Sequence, residues 1–306
     1  MVRTWSQSAW YVRTGLLVIP LLCGAAVVHV VGSPGGTKAV PAAPAWVTPA
    51  GTRAASPGAP SASGAPDAPM AAPVLANPQM TPRRVWVNTP GFWSWALLDR
   101  RTNKIVGSRN PTATSTTASM IKVWLAADFL RRAAESGTTP DSAQLQRLST
   151  MIRDSANDPA QEMFALLGGA ASTRRLIGVC GLTDSAPDER WSNTVVSARD
   201  TARLADCIAD ARAAGPQWTP WLLTEMLGVR GLGDFGIRDA LPPASAAGVA
   251  IKNGWVVRMQ GTEWHVACLA VAAGWTLGVL ARYPQELGLT HGAQICERVA
   301  AALLRR

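Results

Sequence analysis

Lysine and histidine are both scarce in this 306-residue chain. Of 29 basic residues only Lys38, Lys104, Lys122 and Lys252 are lysines, and the histidines are His29, His265 and His291. The shortage of imidazole weighs against a Ser-His-Asp triad. His29 lies in an apolar run, His265 in a strand-like stretch and His291 at the start of a closing helix. A hydrolase built from this chain would need a different base. No HExxH, no glycine-rich phosphate loop and no cluster with metal-ligand spacing is present, so neither a metal nor a cofactor is implied. The arginines occur singly or in pairs, without a basic stripe interleaved with aromatics. The net charge of +9 therefore does not argue for nucleic acid, although a basic outer surface would favour polyanionic cell-wall or lipid surfaces.

Long apolar runs are also rare, with one exception. Residues 15–32, GLLVIPLLCGAAVVHVVG, follow Arg3 and Arg13, the pattern of a membrane-spanning helix with its N-terminus inside. A cleaved signal peptide is the alternative, because small residues follow the run. Lipidation at Cys23 is not expected, since Leu21 and Leu22 precede it where a small residue should stand. Either way the remainder is expected outside the cell, as a single-pass membrane protein or a secreted one. Residues 33–83 are rich in Pro, Ala, Gly and Ser, cannot bury enough surface to fold, and read as a disordered tether. The folded domain is then expected over 84–306, a length that suits one domain. Nothing in the sequence demands an oligomer, and a monomer is expected.

Export gives the cysteines a meaning. Cys180, Cys207, Cys268 and Cys296 are an even set in an oxidising space. Of three possible connectivities the two local pairs, Cys180–Cys207 and Cys268–Cys296, are expected, with reduced, buried thiols as the alternative.

Hydrophobic periodicity orders the elements. Residues 91–99 alternate as a strand and 105–108 return. Helical spacing sets in over 117–135 and continues in segments at 142–153, 157–167, 170–178, 197–213 and 218–228. Strand patterns follow at 248–253, 263–271 and 275–283, then a helix at 290–305. Two strands, a helical block, three strands and a helix predict an α+β fold, an antiparallel sheet carrying an inserted helical region.

Within this frame stands TTASMIKVW, residues 116–124. Ser119 and Lys122 are one helical turn apart on one face. A lysine amine can lose its proton and accept one from serine, whereas arginine cannot. In a chain otherwise written in arginine, that is a chemical reason for Lys122. Two further motifs follow: Ser155-Ala156-Asn157 in the helical block, and Lys252-Asn253-Gly254 on a predicted strand.

The order S-x-x-K, S-x-N, K-x-G resembles the active-site set of the penicillin-recognising serine acyltransferases, including class A β-lactamases. TASMIKVWLAADFLRR, CGLTD, SARDTARL, AIKNGW and WHVACLAV are similar to exported actinobacterial serine hydrolases of that superfamily. The resemblance covers about residues 91–305. It implies a five-stranded antiparallel sheet flanked by helices, plus an all-helical subdomain, with the site between them. It also implies Ser119 as nucleophile, Lys122 as its proton acceptor and Ser155 as proton relay to the leaving nitrogen. Asn157 would hold the substrate amide, Lys252 and Asn253 the substrate carboxylate beside Gly254, and the amides of Ser119 and Trp255 the oxyanion. The implied substrates are β-lactams or peptidoglycan-like peptides.

Three departures from the family stand out. Ala156 replaces the usual Asp, and Asn253 replaces Thr or Ser. The segment that should carry the deacylating glutamate is short; TDSAPDERW offers Asp184, Asp188 and Glu189, with Glu189 the preferred candidate. A β-lactamase-like serine hydrolase, a D,D-peptidase and a non-catalytic wall-binding module on the same fold are the readings that remain.

Overall fold

The computed structural model describes residues 70–258 and 262–304. The apolar run 15–32 and most of the tether lie outside the described residues. Among the described residues, no helix is long and apolar enough to cross a membrane.

A five-stranded antiparallel sheet forms the backbone of the fold, in the order β2-β1-β7-β6-β5. Its strands are β1 (Phe92–Asp99), β2 (Lys104–Gly107), β5 (Ala250–Arg258), β6 (Glu263–Val271) and β7 (Trp275–Pro284). The central β6 and β7 read as nearly continuous apolar runs because both of their faces are covered. Two strands missing from the sequence reading, β3 (Thr114–Thr116) and β4 (Val195–Ser197), pair antiparallel outside this sheet. At three residues each they are too short to show alternation.

The helices are α1 (Lys122–Glu135), α2 (Ser142–Arg153), α3 (Asn157–Leu166), α4 (Ala170–Cys180), α5 (Ala198–Ala209), α6 (Thr219–Leu227), α7 (Pro243–Ala246) and α8 (Gly288–Leu303). Two starts follow directly from cap chemistry: Asp141 and Gln144 form a reciprocal capping box before α2, and Ser197 accepts from the Asp200 amide before α5. Strand parity assigns faces to α5 and α8. Gly278 of β7 leaves room for Ala198 and Thr201 of α5, and Thr276 Oγ1 donates to Ala202 O. The opposite face presents Tyr283, whose hydroxyl accepts from the Gly292 amide of α8. The sheet is thus sandwiched between α8 and the helical block. In that block α1 is central; Met120 through Ala127 are all buried.

The cysteines form the disulfides Cys180–Cys207, joining α4 to α5, and Cys268–Cys296, joining β6 to α8. The boundary at residue 83 needs correction. The Ala76 amide donates to Gly248 O at 2.7 Å, the Ala273 amide to Ala76 O at 3.0 Å and the Thr81 amide to Leu303 O at 2.7 Å. Trp275 Nε1 donates to Pro78 O at 2.8 Å. An extended Pro-containing segment makes no internal hydrogen bonds, so its polar groups remain free to pair with a neighbouring surface. The packed body therefore begins at about residue 76.

Candidate active site

Ser119 lies in a 3-10 turn, Ala118–Ile121, that runs directly into α1. The first amides of such a turn lack acceptors within the helix. Ala118, immediately before the serine, has φ +43°, and Ser155 has φ +58°. Two non-glycine residues in the left-handed region are costly, and both stand at this site.

Strand parity explains the third motif. Lys252 and Gly254 lie on the face of β5 toward the turn that holds Ser119, and Asn253 on the other. A Cβ at Gly254 would come within 2.6 Å of the Met120 amide and 2.8 Å of the Ser119 amide, and would strike Thr117 O. Glycine here is a matter of space: β5 passes against the turn that holds Ser119.

The two motif lysines converge on Ser155. Lys122 Nζ donates to Ser155 O at 2.5 Å and to Asn157 Oδ1 at 2.8 Å. Lys252 Nζ donates to Ser155 Oγ at 3.1 Å and to Asn253 O at 2.9 Å. Both side chains are 0 % exposed. Burial pulls the Lys122 ammonium from 10.5 down to about 7. Burial, and then the charge of Lys122, hold Lys252 well below the usual lysine range. A neutral Lys122 can give its two N–H groups to Ser155 and Asn157 and keep a lone pair.

Ser119, Ser155, Asn157, Trp191, Ser192 and Trp255 line one cavity of about 290 Å³. The structure thus brings Ser119, Ser155, Asn157 and Trp255 together around one space, with Lys122 and Lys252 buried behind Ser155. Lys252 reaches the cavity through Ser155 rather than opening onto it.

Two expected site residues lie elsewhere. Asn253 faces away, and its amide donates to Gly233 O at 3.0 Å and Phe235 O at 2.8 Å. It is consumed in holding residues 231–236 and presents no donor for a substrate carboxylate. Glu189 is exposed and absent from the cavity wall. The other acids are engaged: Asp184 binds Ser197 and Arg199, and Asp188 accepts from the Arg190 amide. What the 185–193 segment brings to the site is Trp191, whose ring centroid lies 4.9 Å from Lys122 Nζ. Trp191 Nε1 donates to Gln161 at 3.2 Å, and Arg258 grips the same segment through Asn193 Oδ1 and Ser192 O. The stretch TDSAPDERW thus contributes to the cavity wall its terminal tryptophan and none of its carboxylates.

No family model matches the chain. Solved structures do. The TLA-1 extended-spectrum β-lactamase superposes with a TM-score of 0.57 at 14% identity, covering 71% of this chain and 95% of that one. A β-lactamase from Xanthomonas campestris pv. campestris gives 0.56 at 18%, covering 71% and 92%. PBP-A gives 0.55 at 17%, covering 70% and 91%. The chain has the β-lactamase-like fold. Among curated proteins it is 31% identical over 183 residues to the "Putative lipoprotein LppW" of Mycobacterium tuberculosis and of Mycobacterium bovis. That alignment spans 57% of this chain and 57% of the mycobacterial proteins.

Proposed function

We propose that the protein is an exported serine hydrolase of the β-lactamase-like superfamily, acylated at Ser119 by β-lactams or related amides and slow to release the acyl group. The observation that carries this reading is the setting of Lys122: a fully buried amine held by Ser155 O and Asn157 Oδ1, with the Trp191 ring 4.9 Å away and no carboxylate among the described residues that line the cavity.

In this reading neutral Lys122 Nζ accepts the Ser119 hydroxyl proton as Oγ bonds to the substrate carbonyl carbon. The C=O π pair moves onto oxygen, met by the amides of Ser119 and Trp255. Loss of one such donor typically costs about 2.7–4 kcal/mol. The carbonyl then re-forms, the C–N bond breaks, and the nitrogen takes the Ser155 proton. Ser155 Oγ already accepts a hydrogen bond from Lys252, which leaves its own proton free to move outward; the proton that Lys122 took from Ser119 then passes to the Ser155 oxygen and returns Lys122 to the neutral amine. Deacylation needs a base within about 2.6–3.2 Å of a water, and no carboxylate lines the cavity among the described residues.

The apolar run 15–32 and the lipoprotein name of the mycobacterial relatives support a membrane-associated, outward-facing protein. Absence of a placed carboxylate also favours a penicillin-binding, D,D-peptidase type of enzyme over an efficient β-lactamase. Intact-protein mass spectrometry after exposure to a β-lactam panel tests the proposal. The expected result is one adduct per chain, absent from Ser119→Ala, with a lifetime of minutes or longer. No adduct with any compound would leave only the wall-binding module, and labelling that survives Ser119→Ala would move the nucleophile elsewhere.

A further inference from the structure

A larger cavity, about 580 Å³, opens where the extended segment 81–90 meets the sheet edge formed by β1 and β2. It shares no lining residue with the Ser119 cavity, which lies against β5 at the opposite edge of the sheet. Its size falls in the range of small-molecule sites, about 300–1,000 Å³.

Its composition is distinctive. Arg83, Arg84 and Arg109 stand around walls that include Trp86, Phe92 and Trp93, and none of the described residues lining it is Asp or Glu. Most of the other described arginines meet a carboxylate, among them Arg100 with Asp206, Arg132 with Asp128, Arg153 with Glu225, Arg199 with Asp184 and Arg230 with Asp154. Arg83, Arg84 and Arg109 have no ion pair or hydrogen bond to a described residue. Arg282, which does not line the cavity, lies over the Phe92 ring at 4.7 Å, and its Nε is buried without a partner among the described residues. Trp86 is 81 % exposed and is the one aromatic residue among the exposed large hydrophobics of the described residues.

We propose that this pocket binds the phosphate headgroup of an anionic phospholipid, the guanidinium groups taking the phosphate and the aromatic rings the adjoining apolar part. Arginine suits the phosphate because its planar donors form paired hydrogen bonds to two oxygens. Indole rings beside them suit the water–hydrocarbon boundary, where tryptophan concentrates. The aromatic walls favour an amphiphile over a fully polar polyol-phosphate polymer, and the neutral donors of the lining, Ser108 and Asn110, already bond to Ser94 and to Trp93 O.

The test is native mass spectrometry of the full chain in neutral detergent, titrated with phosphatidylglycerol, phosphatidylcholine or a glycerol-phosphate oligomer. The N-terminal apolar run is common to all variants and cancels in the comparison. One phosphatidylglycerol should bind at least tenfold more tightly than phosphatidylcholine. That preference should fall to near one in R83Q/R84Q/R109Q, whose exposed substitutions should leave the melting temperature unchanged, and Trp86→Ala should weaken phosphatidylglycerol severalfold. Equal binding of the two lipids by the native chain would overturn the proposal. So would a preference retained in the triple variant, or an oligomer that binds as tightly as the lipid.

Discussion

Ser155 stands between two buried lysines that oppose one another. Each is easier to bury neutral, and the charge of Lys122 further disfavours charge on Lys252. For Lys122 this is useful, because the base must be free of its proton. Acylation should therefore rise between about pH 6 and 8, half-maximal near the Lys122 value of about 7. Lys122→Arg should slow it by roughly 10²–10⁴-fold, the usual contribution of a general base; quenched-flow labelling with a fluorescent penicillin measures both. Trp191→Ala would let water reach the amine, raise its pKa, and move the profile to higher pH. A profile unmoved by that change would show that the indole does not shield Lys122. The same burial acts on stability. Lys122 has a folded-state value of about 7 against 10.5 when unfolded, so the unfolded chain binds more protons and stability rises with pH from about 7 to about 10.5; the lowered value of Lys252 acts in the same direction. Lys252→Met should consequently raise the melting temperature at pH 7 while slowing acylation, as is usual where function imposes a buried polar group.

The β5 strand shows how an element turns a short motif into geometry. Its two-residue period points Lys252 and Gly254 at the Ser119 turn and Asn253 at the disulfide side, where register sets it opposite Cys268. Gly254→Ala should push β5 off the Ser119 turn, costing about 1–3 kcal/mol of stability and most of the acylation rate; an unchanged labelling rate would show that the contact is not needed. Much of this level was legible in the residues. The five sheet strands, the helical block and the lysine–serine motifs all carry patterns of period 2 or 3.6, or rare residue types. What escaped had no such pattern. Strands β3 and β4 are too short for one, and the strap at 76–81 is held by backbone groups whose partners lie far away in the chain. Asn253 was misplaced because its residue type suggested a donor, while the direction of its side chain depends on strand parity relative to Lys252. Trp191 carries no sequence signal of its own, because an indole has no acid–base chemistry and only the fold sets it beside Lys122.

At the scale of the whole molecule the two disulfides differ in what they hold. Each closes a loop of similar length, 27 and 28 residues in sequence separation, so by constraint of the unfolded chain each should contribute a similar stability, about 3–4 kcal/mol. Their surroundings are not alike. Cys180–Cys207 ties two helices at a distance from the cavity. Cys268–Cys296 lies against Gly236, where an added Cβ would come within 2.7 Å of Cys296 Cβ. Gly236 closes the segment 231–236 that Asn253 holds, and Phe235 in that segment meets the Trp255 ring edge-on at 5.7 Å. Trp255 in turn lines the Ser119 cavity. The second bridge thus connects through packed contacts to the proposed oxyanion donor, and the first does not. Cys180→Ala/Cys207→Ala should lower the melting temperature yet leave the acylation rate of the folded protein near native. Cys268→Ala/Cys296→Ala should lower both, with the rate loss persisting well below the unfolding transition. Chemical denaturation and labelling kinetics on the two variants separate these effects, and equal rates in both would mean that the 231–236 segment keeps Trp255 in place without the disulfide behind it.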